Sequence, residues 1–168
     1  MLIRQETEAD FPAIARVVEA AFEKPDEARM VEAVRASSGY VPELAFVAEE
    51  DGEVVGHVML SWVELAGSER RLLELGPLAV DPERQLGGIG SALTEAALTA
   101  ADERGEPLVL VLGHPNYYPQ FGFKRADELG LEPPHPSMHA AFMAKPLTAY
   151  DASIRGRVVF PPSFSASI

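Results

Sequence analysis

Two periods of hydrophobic residues divide the chain into helices and strands. Apolar residues spaced by three and four positions predict a helix over residues 11–22, a second over residues 26–36 and a third over residues 88–103. Runs of apolar and β-branched residues predict the strands. These runs cover residues 2–6, 44–49, 53–62, 72–80, 108–112 and 139–145.

The order of these elements indicates one mixed α/β domain. Asp51-Gly52 favours a tight hairpin turn, so the strands on either side of it are predicted as antiparallel neighbours. The strand, helix and strand in residues 72–112 form a unit that requires a parallel strand pair. We therefore expect an α/β (α+β) fold over residues 1–147, with a mixed central sheet and helices on both faces. Residues 148–168 contain prolines and serines and are predicted to form a loosely packed tail.

Charge and composition narrow the functions of such a domain. The chain has 14 lysine and arginine residues against 26 aspartate and glutamate residues, a net charge of −12 at pH 7. This balance argues against nucleic acid and anionic membranes as partners, whereas a cationic amine is attracted to it. Without cysteine there is no disulfide, thiolate or Cys-bound zinc, and we expect no metal site. We find neither a signal peptide nor a membrane-spanning stretch and expect a cytoplasmic protein.

A glycine-rich turn between the strand at residues 72–80 and the third helix is the central motif. It reads Gln85-Leu86-Gly87-Gly88-Ile89-Gly90-Ser91. Residues without side chains let backbone N–H groups approach an anion, and the helix N-terminus adds unsatisfied donors, so a pyrophosphate fits here. Arg84 would add a charge-assisted contact. The same glycines also suit a simple strand-to-helix turn with special dihedral angles.

Two other phosphate-binding loops do not fit this turn. A Walker loop ends in Gly-Lys-Ser/Thr, whereas Gly90 is followed here by Ser91 and Ala92 without the lysine. A dinucleotide fingerprint lies near the first strand and needs an acidic residue at the end of the second strand. Here Glu95 follows the glycines only inside the helix, so neither loop matches.

Gln85, Gly88 and Gly90 match a coenzyme A motif, Gln/Arg-x-x-Gly-x-Gly/Ala. In this context the chain resembles the GCN5-related N-acetyltransferase (GNAT) superfamily, and the likeness extends over nearly the whole fold. Residues 111–123 are further similar to the bacterial acetyltransferases called YhbS-like, a subgroup that implies no particular substrate. The resemblance implies an acyltransferase that takes acetyl-CoA as its cosubstrate and needs no metal.

The resemblance also implies that the fourth and fifth strands splay apart to admit the acyl-pantetheine arm. Gly76-Pro77 supports this independently, because proline gives no N–H to a sheet and glycine often marks a bulge, although an edge strand ended by proline has the same residues. The residues implied in coenzyme binding lie on the fourth strand, in the turn and after the fifth strand. They are Leu78, Ala79, Val80, Gln85, Leu86, Gly87, Gly88, Ile89, Gly90, Ser91, Asn116 and Tyr118.

Acyl transfer from a thioester to an amine needs a neutral amine and a proton for the departing thiolate. The family places a tyrosine four residues before a Gly-Phe pair, which makes Tyr118 the implied acid and Tyr117 its competitor. Glu74 lies in an otherwise apolar strand, where a carboxylate is costly unless it faces a cleft or a partner, so it is the first candidate for the base. A structural ion pair or a solvated strand face would also explain Glu74, and His57 and His114 are alternative bases.

The expected function is transfer of an acetyl group from acetyl-CoA to a primary amine of a small molecule or peptide, by direct attack in a ternary complex. The alternatives are a non-catalytic acyl-CoA-binding sensor and a nucleotide-binding regulatory domain. Tyr118 beside an intact turn favours the enzyme, because a sensor needs no acid there. We expect residues 22–41 and 61–71 to build the acceptor pocket. The acceptor, the base, the acyl chain preference and the oligomeric state, a homodimer included, stay open.

Overall fold

The computed structural model describes residues 1–167 as a central sheet with helices on both faces. The helices are α1 (Phe11–Phe22), α2 (Asp26–Arg35) and α3 (Ile89–Glu103). The strands in chain order are β1 (Leu2–Gln5), β2 (Tyr40–Glu50), β3 (Glu53–Leu65), β4 (Arg71–Val80), β5 (Leu108–Leu112), β6 (Lys124–Arg125), β7 (Leu131–Glu132), β8 (Phe142–Pro146) and β9 (Gly156–Val159).

Strand pairing makes this a mixed sheet. The order is β1, β2, β3, β4, β5, β8 and β6, and neighbours are antiparallel except for the parallel pair of β4 and β5. The β2–β3 hairpin turns at Asp51 and Gly52, whose φ angles are 52° and 81°. Both the antiparallel hairpin and the parallel pair predicted from the sequence are confirmed.

Alternate residues of the central strands pack on opposite faces of the sheet. Leu73 and Leu75 of β4 pack in the cluster that contains α3, whereas Leu72 packs in the cluster that contains α2. β5 is divided in the same way, with Val109 on the α3 side and Leu108 on the α2 side. Burial on both faces explains the unbroken apolar run of β5 and confirms helices on both sides.

The C-terminal segment differs from the loosely packed tail expected for residues 148–168. β9 pairs antiparallel with the end of β3, and Val158 of β9 is fully buried. Ile154 and Phe164 are buried in the same apolar cluster as α2. The expectation is wrong here because these apolar side chains cover one end of the sheet, although prolines and serines surround them. Ile168 lies outside the described residues.

The helices are short. α1 has 12 residues, α2 has 10 and α3 has 15, against the roughly 20 apolar residues that a bilayer requires. Within residues 1–167, no helix combines the length and the apolarity needed to cross a membrane.

Candidate active site

A cleft opens where β4 and β5 separate. The two strands pair only along Leu73 to Leu75 of β4, and β4 then continues to Val80 beside β3 alone. Pro77 follows the point of separation and has no N–H to give to a strand partner. The predicted splaying of the fourth and fifth strands is therefore confirmed. β4 is a central strand and not an edge strand, and the cavity beside it has a volume of about 920 Å³.

The glycine-rich turn forms one end of this cleft. Leu86 and Gly88 have positive φ angles of 68° and 87°, and Gly88 precedes α3 without a side-chain cap. The first backbone N–H groups of α3 therefore keep their capacity to bind an anion. Gln85 Nε2 donates a hydrogen bond to the Val80 carbonyl at 3.2 Å, which ties the turn to the end of β4.

Nine of the residues expected to bind the coenzyme line the cleft. They are Leu78, Val80, Gln85, Leu86, Gly88, Ile89, Gly90, Ser91 and Tyr118. Ala79 does not, because it alternates with its two neighbours on β4 and is buried beside α1. Gly87 and Asn116 are exposed and lie outside the lining. Arg84 lines the cleft, but its guanidinium also pairs with the Glu50 carboxylate at 2.7 Å.

Tyr118 is buried in the cleft with a neutral phenol. Its ring packs on Gly113, where a Cβ atom would come within 2.5 Å of the ring, and it contacts Phe123 edge-on. Burial raises the pKa of Tyr118 above its usual range, and the nearby Tyr117 and Glu74 raise it further. Such a phenol remains protonated across the physiological range and therefore has a proton to donate.

Tyr117 reaches a different part of the cleft. A Cβ atom built on Gly90 would lie 3.1 Å from the Tyr117 hydroxyl, so this hydroxyl lies at the first turn of α3. The two neighbouring tyrosine rings meet edge-on, with 5.0 Å between their centroids. Tyr117 therefore faces the glycine-rich turn, whereas Tyr118 lies near Glu74.

Glu74 is a buried carboxyl group on β4 that lines the cleft. Burial raises the pKa of Glu74 to about 8, and a backbone hydrogen bond from Leu112 offsets only part of that effect. Glu74 Oε2 has no hydrogen-bond partner among the described residues, and neither has Oγ of Ser61, its cross-strand neighbour on β3. Within residues 1–167 no basic side chain pairs with Glu74, so the structural ion pair considered for it is absent there.

His57 lies outside the cleft. Its ring is fully buried, and Nε2 is 2.9 Å from Glu6 Oε1. Burial lowers the pKa of His57, so a neutral ring donates its Nε2 proton to Glu6. Glu6 also accepts hydrogen bonds from Arg35, at 3.1 and 3.0 Å, and from Tyr40. Because His57 belongs to this buried hydrogen-bond network and lies outside the cleft, it is a structural residue. His114, the other histidine considered, is exposed and lines the cleft.

The other half of the cleft, here called the acceptor half, is built by elements that are distant in sequence. Its residues come from α1, α2 and the C-terminal third of the chain. They are Ala21, Phe22, Glu27, Met30, Met138, Phe160 and Phe164. Those on α1 and α2 lie within or beside the expected segment 22–41, but residues 61–71 do not line the cleft. No local motif marks Phe160 or Phe164, because the chain brings them to the cleft only on folding.

Comparison with known proteins identifies the family. The family model described as the acetyltransferase (GNAT) domain matches residues 2–126 of this chain. The chain belongs to the GNAT acetyltransferase family. Among the relatives of this GNAT acetyltransferase is the uncharacterized N-acetyltransferase YhbS of Escherichia coli strain K12, which is 32% identical over 142 residues that cover 84% of each chain.

Two solved structures show how far the likeness extends. The crystal structure of E. coli YhbS in complex with CoA has a TM-score of 0.90 and 31% identity, covering 98% of this chain and 91% of that one. A GNAT acetyltransferase from Brucella melitensis in complex with acetyl-CoA has a TM-score of 0.80 and 32% identity, covering 97% of both chains. The resemblance drawn from the glycine-rich turn is confirmed.

Proposed function

We propose that this GNAT acetyltransferase transfers an acetyl group from acetyl-CoA to a primary amine of a small molecule or peptide, by direct attack in a ternary complex. One observation carries the proposal: Glu74 and Tyr118, a candidate base and a candidate acid, line the same cleft next to the glycine-rich turn. The relatives in complex with CoA and with acetyl-CoA support the choice of coenzyme.

The residues at the glycine-rich turn fit a coenzyme pyrophosphate. α3 begins without a side-chain cap, and a side chain on Gly90 would enter the space next to the Tyr117 hydroxyl. The turn from Gln85 to Ser91 would hold the pyrophosphate, and the main chain at Leu78 and Val80 would pair with the pantetheine arm. Acetyl-CoA supplies the thioester whose acetyl group is transferred.

Glu74 would prepare the amine for attack. Its carboxylate removes a proton from the ammonium form of the acceptor, directly or through a water. The neutral nitrogen then forms a bond to the thioester carbonyl carbon, and the bond from that carbon to sulfur breaks. The proton that the nitrogen loses as it becomes an amide replaces the one that Tyr118 gives to the sulfur. Because the pKa of Glu74 is about 8, the carboxylate form increases as the pH rises towards that value.

Tyr118 would complete the transfer by giving its phenolic proton to the departing coenzyme A thiolate. Burial and the neighbouring Glu74 keep this phenol neutral until the thiolate forms. The positions of Tyr117 and Tyr118 support Tyr118 over its neighbour for this role, because Tyr117 reaches the start of α3 instead.

A screen of amines, amino acids and peptides with acetyl-CoA tests the proposal by measuring thiol release. The chain contains no cysteine, so a thiol reagent reports coenzyme A alone. We expect amine-dependent release whose kcat/KM rises with pH up to about 8. Tight binding of acetyl-CoA without release above the rate of hydrolysis for every class of acceptor would count against the proposed reaction.

A further inference from the structure

Glu27 is the second carboxyl group that lines the cleft, and it lies in the acceptor half. It belongs to the first turn of α2, one turn before Met30, which lines the same half. Its Oε1 lies 3.6 Å from Lys24 Nζ. Its Oε2 is buried and has no hydrogen-bond partner among the described residues, as is also true of Glu74 Oε2.

The helix dipole does not account for this buried oxygen. Acidic side chains in the first turn of a helix gain from the dipole while they remain in water. Asp26 occupies the same turn, pairs with Arg29 at 3.3 Å and lies outside the cleft. Glu27 instead keeps one carboxylate oxygen away from solvent without a donor, an arrangement that costs free energy unless a ligand supplies the donor.

The two carboxyl groups come from different elements around the cleft. Glu74 lies on β4, where the sheet opens, whereas Glu27 comes from α2. Burial accounts for the raised pKa of Glu74, and Glu27 does not contribute to it. The remaining lining of the acceptor half is apolar, with Phe22, Met30 and Phe160 among its residues. A ligand that satisfies both groups therefore needs two donors and an apolar body.

The described lining of the acceptor half contains no basic side chain, and Lys24, outside the lining, pairs with Glu27. The basic side chains of the described lining are Arg84 and His114, and both come from the β4 and β5 side of the cleft. Arg84 pairs with Glu50 beside the glycine-rich turn. With a net charge of −12, the whole chain attracts polycations and repels carboxylates.

We infer that Glu27 binds a second cationic group of the acceptor, so that the substrate is a small diamine with an apolar spacer. One amino group lies at Glu74 and reacts, while the distal ammonium donates hydrogen bonds to the Glu27 carboxylate. The identity of the reacting end rests on the proposed function. The contact between Glu27 and the distal ammonium is a binding property that does not depend on turnover.

Titration calorimetry with the protein saturated with coenzyme A tests this contact, using 1,6-diaminohexane and hexylamine as probes. We expect the diamine to bind about tenfold or more tightly than the monoamine, because the second ammonium gains a charge-assisted hydrogen bond. Glu27→Gln should weaken diamine binding by about 10- to 100-fold and hexylamine binding by less than about twofold. Asp26→Asn removes the neighbouring charge outside the cleft and is the matched control, with both affinities unchanged.

Several results would overturn the inference. The first is no measurable diamine binding, and the second is equal affinity for the diamine and the monoamine. The third is an equal loss of affinity for both probes in Glu27→Gln, which would mean that both carboxylates act on one ammonium. A loss in Asp26→Asn as large as in Glu27→Gln would make the effect one of general charge. Unchanged coenzyme A affinity in Glu27→Gln verifies that this variant is folded.

Thiol release in the same samples separates the two proposals. Diamine-selective binding without release contradicts only the reaction, and release without diamine preference contradicts only the role of Glu27.

Discussion

Glu6 and Glu74 are both buried glutamates, yet their surroundings drive their pKa values in opposite directions. Burial alone raises the pKa of both. Around Glu6, hydrogen bonds from His57, Arg35 and Tyr40 outweigh burial and lower the pKa to about 2. Among the described residues, the Leu112 backbone gives the one hydrogen bond that lowers the pKa of Glu74, and burial raises that pKa to about 8. The comparison separates a carboxylate that holds the fold together from one that is ready to exchange a proton.

Glu74→Gln tests the reactive side of this comparison and should have the largest effect. The amide keeps the shape of the protonated acid but cannot take a proton, so kcat/KM should fall by about 10²–10⁴-fold and lose its rise towards pH 8. Steady-state kinetics across pH measure both. An unaltered pH profile would leave Glu74 without a role in proton transfer.

Glu6→Gln is the matched change in the other glutamate. It removes the charge that Arg35 faces at 3.0 Å inside the protein, so the free energy of unfolding should fall by about 3 kcal/mol. Denaturant unfolding measures this loss. Glu74→Gln should instead raise the free energy of unfolding in the same assay at pH 7, because there the unfolded Glu74 is ionised whereas the buried one is mostly protonated. A large loss in Glu74→Gln with none in Glu6→Gln would reverse the assignment of the two groups.

Tyr118→Phe sharpens the comparison by removing the acid next to Glu74 while keeping the ring that packs on Gly113. We expect kcat to fall by about 10²–10³-fold, with little change in acetyl-CoA affinity, since the hydroxyl acts only as the thiolate leaves. Tyr117→Phe is the control one residue away. Full activity in Tyr118→Phe with a loss in Tyr117→Phe would move the role to the neighbour.

The pH dependence of stability should show both glutamates with opposite signs. Glu6 stabilises the fold above its unfolded pKa of about 4.5, and this roughly 3 kcal/mol is lost as the pH falls through about 2. Glu74 has a raised pKa, so its contribution is intact below about 4.5 and is lost as the pH rises through about 8. Glu74→Gln should therefore raise the Tm at pH 9 and leave it unchanged at pH 4. A lower Tm at pH 9 would contradict the burial of an unpartnered carboxyl group.

Gly90→Leu should have the smallest effect of these changes, a loss of about tenfold or more in acetyl-CoA affinity. Its side chain would enter the space in front of the Tyr117 hydroxyl, where the pyrophosphate is proposed to lie. Thr99→Leu is the control, because Thr99 is an exposed residue of the same helix that lies outside both the turn and the cleft lining. If calorimetry gives the two variants the same affinity for acetyl-CoA, the coenzyme does not bind at the start of α3.

The parts of the site that could be predicted are those encoded by neighbouring residues. The turn from Gln85 to Ser91 is a local motif, and Glu74 differs from the apolar residues that flank it on the strand. His57 could not be assigned, since its partner Glu6 is 51 residues away and only sheet pairing brings them together. Phe164 carries no local signal for the same reason, because the apolar cluster that buries it is formed by α2 and residues of the sheet.

The pairing of β4 with β5 ends at Leu75, so the middle of the sheet is open from Gly76 onwards. On the proposed function, the pantetheine arm occupies the gap between these strands and pairs with β4 as a short strand would. Some of the contacts that stabilise the fold are therefore made by the cosubstrate. A ligand that binds only the folded chain stabilises it by RT ln(1 + [L]/Kd), about 2.7 kcal/mol at a hundredfold excess over Kd. Resistance of this protein to proteolysis should therefore follow the supply of acyl-CoA around it.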